Sequence, residues 1–373
     1  MADCKIIEVS EKRDIRRFIS FPDELYRGCP QYVPALHSDE MFLLTGVSTL
    51  SYCQRKMWLA LSQGKVVGRI CAIINPRYNE IYGTKRARFG WFDCIDDFEV
   101  AKLLISTAER WSREQGMKEI HGPLSYNTLG RQGLLVEGYE YVPPFNCPYN
   151  YPYYDDFISS LGFEKECDWV QYRMVANHGV PDKARRVARM LQEKSNLHFV
   201  DIDTLKKDPE WVRRFFKAFN DSFSETVYGF VPLTDDEIHD EAGRVLRFLN
   251  GKSSCMLMDE KDEIVAFGIS FPSISAALQK AKGSLFPFGW IHLLKAKYNY
   301  ELTDLMVHGA VPEWQNTGVS SVYYKEMGDK AIRIGNRWAI SNPQIEDDSA
   351  ANIWNCYEHE PYMKRRCYIK DIQ

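Results

Sequence analysis

The residues best placed to do chemistry lie in one stretch near the end of the chain, from Asp304 to Ser320. Residues 300–311 read as a strand, and alternation sets Asp304, Met306, His308 and Ala310 on one face. His308 titrates near neutrality and is a candidate proton acceptor, with Asp304 its rival. A tight turn comes next, Gln315-Asn316-Thr317-Gly318-Val319-Ser320, and residues 322–333 then take helical spacing with Val322, Met327 and Ala331 on one apolar face. A strand entering a helix through small residues leaves several backbone N–H groups without intrahelical partners, and the helix dipole behind them suits a phosphate. Gly318 lets the backbone come close to a bulky anion, and Thr317 and Ser320 can add hydroxyl donors.

The elements that position this stretch recur in each half of the chain. In the first half, residues 12–26 have helical spacing, 57–62 and 66–74 form a hairpin signal around Gly64, and 87–94 is a strand. An amphipathic helix over 97–115 runs through Val100, Leu103, Leu104, Ala108 and Trp111 to Gly116. A strand over 118–123, a long Gly-, Pro- and Tyr-rich loop, a short helix over 152–163 and a strand over 167–176 complete that half. The second half repeats the plan: a basic helix over 182–194, a strand over 197–202, helices over 211–223 and 235–249, and a hairpin over 254–271. Residues 272–299 are an insertion before the strand that carries Asp304, either a flap over a substrate or a helix packing the halves together. A strand over 338–341, a helix over 347–357 and a final strand over 362–369 close the chain.

This order, with Gln315-x-x-Gly318-x-Ser320 directly after a strand and Pro312-Glu313-Trp314, resembles the GNAT acyltransferase superfamily in a doubled form. The usual loop there is Gln/Arg-x-x-Gly-x-Gly/Ala, from which Ser320 departs while staying small. The resemblance implies an α/β (α+β) fold of two GNAT-like domains, over 1–176 and 177–373, each a mixed, mostly antiparallel twisted sheet flanked by helices. It implies acetyl-CoA or another acyl-CoA as co-substrate, or an acyl carrier protein thioester, with no metal. Ala310 and Val311 would then meet the pantetheine arm, and Gln315, Asn316, Thr317, Gly318, Val319 and Ser320 the pyrophosphate. Tyr357-Glu358-His359-Glu360-Pro361-Tyr362 is similar to the family ending Tyr-Glu-Lys-Leu-Gly-Phe, which makes Tyr357 the proton donor to the departing thiolate. Asp304 falls where some members place a general-base Glu. The first copy carries Ile95-Asp96-Asp97-Phe98-Glu99 in place of the loop, and those carboxylates would repel a pyrophosphate.

Composition bounds the remaining possibilities. The chain has 373 residues, long enough for two domains, and a formal charge of −4, with no electrostatic footprint for nucleic acid. Its ten cysteines form no C-x-x-C pair, no apolar run spans a bilayer, and the first residues lead into no signal-peptide core, so a reduced cytoplasmic chain is expected. The reading is an N-acyltransferase with a small-molecule or amino-acid-like amine acceptor. The alternatives are a non-catalytic binding or assembly protein that kept the fold, and an aminoacyl-tRNA-dependent transferase, which needs a basic groove.

Overall fold

The computed structural model describes residues 4–224, 227–346 and 357–373, and in it the chain folds as two compact units. The first comprises residues 1–169, 275–292 and 363–373, and the second 170–274 and 293–362. Neither unit is one contiguous half, because a piece of the insertion and the last strand return to the first unit.

In chain order the first half gives β1 (Cys4–Glu8), α1 (Lys12–Leu25), α2 (His37–Thr45), β2 (Gln54–Ser62), β3 (Lys65–Ile74), α3 (Pro76–Tyr82), β4 (Arg86–Cys94), α4 (Phe98–Glu114), β5 (Glu119–Gly122), β6 (Leu134–Glu137), α5 (Tyr153–Ser160) and β7 (Glu164–Val175). The second gives α6 (Asp182–Ser195), β8 (His198–Val200), α7 (Pro209–Phe223), α8 (Asp235–Val245), β9 (Cys255–Met258), β10 (Ile264–Pro272), α9 (Ser275–Ala281), α10 (Gly289–Ala296), β11 (Leu302–Ala310), α11 (Val319–Ile334), β12 (Trp338–Ile340), β13 (Gln344–Ile345) and β14 (His359–Asp371). The expected hairpins, helices and strands are present; β1, β6, β13, α2 and α3 are additions. The helix expected over 347–357 lies, apart from Tyr357, outside the described residues. Among the described residues, no helix is long and apolar enough to cross a membrane.

Each unit has a mixed, mostly antiparallel sheet with helices on both faces. In the first unit the order is β1-β2-β3-β4-β5-β14, antiparallel except for the parallel pair β4–β5. One face packs Trp58, Phe89 and Ile120 against Leu104 of α4 and Tyr154 of α5, and the other packs Leu59 and Ile73 against Phe18 of α1 and Leu44 of α2. In the second unit the order is β7-β12-β11-β10-β9-β8, antiparallel except for the parallel pair β11–β12. One face is covered by α6 and α11, and on the other α7 sets Phe215 against Phe267 with ring centroids 5.0 Å apart.

The strand before the central helix bulges in both units. Between Arg69↔Asp93 and Cys71↔Gly90 the β4 strand carries an extra residue, and Trp91 takes a φ of +47° there. Between Ile269↔Val307 and Ser270↔Leu305 the extra residue is Met306 of β11. The units differ in how the neighbouring parallel strand continues past the bulge. In the first, the amide of Leu124 donates to the Phe89 carbonyl at 2.8 Å, so the backbone beyond β5 still pairs with β4. Gly90 permits this approach, since a Cβ there would lie 2.3 Å from the Leu124 oxygen. In the second, β12 pairs with β11 only through Asp304↔Ile340, and Ser341 then turns its amide to Tyr172.

Gly90→Ala should therefore cost about 1–3 kcal/mol, since the clash is with backbone that must move as a unit. Gly243→Ala in α8, where a Cβ meets nothing within 4 Å, should be neutral or stabilising by up to ~1 kcal/mol. Urea unfolding of the two variants checks the contrast.

Candidate active site

In the second unit the chain leaves β11 at Ala310, makes a short 3-10 turn over Pro312–Trp314 and enters α11 at Val319. Asn316 at φ +60° and Gly318 at φ +91° turn the backbone left-handed, a region open to Gly and tolerated by Asn. Gly318 caps α11 without a side-chain hydrogen bond, which leaves the positive end of the helix dipole at this turn. The Ser320 hydroxyl and the exposed Asn316 amide make no hydrogen bond among the described residues.

Two motif side chains are engaged inside the protein. Gln315 Nε2 donates to the Ala310 carbonyl at 2.9 Å and to the Ser222 carbonyl at 3.1 Å, tying the loop to the end of β11 and the last turn of α7. The Thr317 hydroxyl donates to the Trp314 carbonyl at 2.7 Å, which closes the turn and takes up the donor expected for a ligand. In the first unit the corresponding helix is plugged: the Asp97 carboxylate caps α4 by accepting from the Glu99 amide at 2.9 Å.

No family model matches the chain. Protein YghO of Escherichia coli (strain K12) is 30% identical over 285 residues, which cover 76% of this chain and 72% of that protein. The chain belongs to the YghO family. A bacterial ceramide synthase of Caulobacter vibrioides is 28% identical to this YghO-family chain over 299 residues, 79% of this chain and 76% of the synthase. Among solved structures, a tandem GNAT protein from the clavulanic acid biosynthesis pathway matches 100% of this chain and 99% of its own, with a TM-score of 0.59 at 11% identity. A GCN5-related N-acetyltransferase from Sphaerobacter thermophilus matches 99% of this chain and 96% of its own, with a TM-score of 0.56 at 8% identity. At such identities the likeness is one of fold, and the fold is the doubled GNAT fold.

Asp304 and His308 do not share a face. The extra residue at Met306 shifts the alternation by one, and a shift of one inverts every later side chain. Asp304 lies opposite Phe271, whose ring packs on Phe248, whereas His308 lies opposite Gly268 and points to α11. There His308 Nδ1 is 3.1 Å from the Tyr324 hydroxyl, a partner that the sequence pattern did not single out. The ring of Tyr357 stands 6.3 Å from that of Tyr324. Both tyrosines line a mainly apolar cavity of about 60 Å³ with Met174, Leu305, Met327 and Ala339.

The two titratable groups are pushed in opposite directions by the same cause. Asp304 is 1% exposed, neither carboxylate oxygen meets a hydrogen-bond partner, and burial raises its pKa to about 7 although Ser273 offsets part of the cost. Burial lowers His308 to about 4, so its imidazole is neutral through the physiological range.

These shifts have opposite signatures in stability. Asp304 binds its proton more tightly folded than unfolded, so its contribution is full below about pH 4 and is lost as the pH rises to about 7. His308 contributes above its ordinary value near 6.5, and its share is lost as the pH falls toward 4. Between pH 5 and pH 8 the two partly cancel in the wild-type chain. Asp304→Asn should therefore gain about 2–3 kcal/mol relative to wild type between those pH values, measured by urea unfolding at each.

Proposed function

We propose that the chain is an N-acyltransferase that moves an acyl group from an acyl-CoA thioester to an amine acceptor, with the chemistry confined to the second unit. The observation that carries the reading is the junction of β11 and α11. An uncapped helix N-terminus stands at the end of a strand whose residues Met306 to Ala310 have lost their β12 partner and are half-exposed. A diphosphate fits the first-turn amides and the Ser320 hydroxyl, and an amide-bearing arm fits beside the unpaired strand edge. Gln315 holds both parts in register through its bonds to Ala310 and Ser222.

In this reading the amine nitrogen attacks the thioester carbonyl, the C–N bond forms and the C–S bond breaks. The proton lost by the amine goes to the Asp304 carboxylate, whose pKa near 7 suits a base working at neutral pH but which is 1% exposed until the acceptor opens that face. His308, held near 4, is the poorer acceptor and instead fixes the Tyr324 hydroxyl. The thiolate takes the proton of Tyr357, which lies with Tyr324 on the α11 side of the sheet, opposite Asp304.

The name of the ceramide synthase relative points to amide formation on a lipid amine, and the apolar cavity beside Tyr357 is suited to methylene groups. A long-chain acyl donor and an amphipathic amine are accordingly the substrate class we favour over acetyl transfer to a polar amine.

CoA present at about a hundred times its Kd should stabilise the wild-type chain by about 2.7 kcal/mol, read as a rise in melting temperature. Gly318→Val, which adds a side chain at φ +91° with Val187 3.3 Å from its Cβ, should lose that rise. Tyr357→Phe should keep CoA binding and lower acyl transfer about a hundredfold in an acyl-CoA and amine panel. Undiminished turnover by that variant removes Tyr357 from the chemistry, and the absence of any CoA effect on wild-type melting removes the reading itself.

A further inference from the structure

We propose that the segment 280–298 docks the protein on the surface of an anionic phospholipid bilayer. Its base is fixed. In α9, Ser275, Ala277, Leu278 and Ala281 are buried, and Ser275 Oγ donates to the Pro143 carbonyl at 2.9 Å. Gln279 Nε2 donates to the carbonyls of Pro30 and Tyr32 at 2.7 and 3.1 Å, and the His37 amide donates to the Gly283 carbonyl at 2.9 Å. Gly283 is wedged so closely that a Cβ would lie 2.7 Å from His37 Nε2.

Beyond this clasp the chain turns its apolar side chains into solvent. Phe286 is 81% exposed, Phe288 69%, Trp290 48%, Leu294 49% and Tyr298 66%. These are five of the nine large hydrophobic residues exposed among the described residues, gathered within thirteen positions. An apolar patch held out from a firmly anchored base marks an interaction surface rather than a loosely packed loop. The indole N–H of Trp290 is met locally by the Pro287 carbonyl at 3.2 Å, so the ring enters an apolar layer without an unmet donor.

Charge selects the occupant. From Pro272 to Tyr300 there are four lysines, Lys280, Lys282, Lys295 and Lys297, and no acidic residue, a local reversal of sign in a chain of net charge −4. None of the four makes an ion pair among the described residues, and the first three are exposed. Exposed Phe and Trp beside unpaired lysines match the layered interface of a bilayer, with apolar groups below and anionic phosphates above. A second copy of this chain is a poor partner, because a twofold contact through this patch sets like charges against each other. The inference rests on this surface alone and is independent of the acyl-transfer reading.

The test uses the full-length protein in co-sedimentation with phosphatidylcholine vesicles, with and without phosphatidylglycerol. Binding to the phosphatidylglycerol vesicles that weakens with added salt is the expected result. Phe286→Ser/Phe288→Ser/Trp290→Ser and, separately, Lys280→Glu/Lys282→Glu/Lys295→Glu should each weaken it at least about tenfold while circular dichroism stays unchanged. The lysine variant alters only exposed, unpaired side chains and so decides the matter even where the aromatic one fails to fold. The proposal is overturned by the absence of sedimentation with either vesicle, or by binding that the lysine variant retains. It is equally overturned by a dimer that the aromatic variant splits without any vesicle binding, which assigns the patch to a second copy.

Discussion

The arrangement of the second unit depends on where β11 parts from β12. The two strands run parallel through Asp304↔Ile340 and then separate, just before the extra residue at Met306 inverts the strand. Separation leaves a run of backbone paired only with β10, and inversion puts the carboxylate and the imidazole on opposite sides of the sheet. The first unit has the same bulge at Trp91 but keeps its strands joined through Leu124. A single retained backbone bond, admitted by the absence of a side chain at Gly90, thus distinguishes the strand junction of the first unit from that of the second.

Around that opening the protein uses its polar groups economically. Gln315 and Thr317, which the motif offers to a ligand, hold the turn into α11 in shape. Asp304 is the reverse case, a carboxylate with no hydrogen-bond partner in an apolar setting maintained by the packing of Phe267 and Phe271 with the helices on that face. Such a group is costly to bury, and burial is what raises its pKa.

Most of the architecture was legible because the elements that bury apolar faces announce them by spacing. Val322, Met327 and Ala331 predict the buried face of α11, and the hairpin over β2 and β3 is signalled by Gln63-Gly64 between apolar runs. The pieces that escaped were short or irregular. β6 has four residues inside a loop dense in Gly and Pro, and α2 has only two buried residues to give it a pattern. The turn into α11 was legible from Gly318, but the faces of Asp304 and His308 were not. Alternation counts residues, and nothing in Leu305-Met306-Val307 records that one of them lacks a partner on β10. Tyr324 was hidden likewise, since its contact with His308 arises from that inverted register.

The insertion acquires its meaning from its two ends. It departs from β10 at Pro272 and returns to β11 at Leu302, and the Ser273 amide on one lead donates to the Leu302 carbonyl on the other at 2.9 Å. Asp304 lies two residues beyond that bond, and Ser273 is the side chain that moderates its pKa. The two ends of the insertion thus flank the buried acid of the second unit.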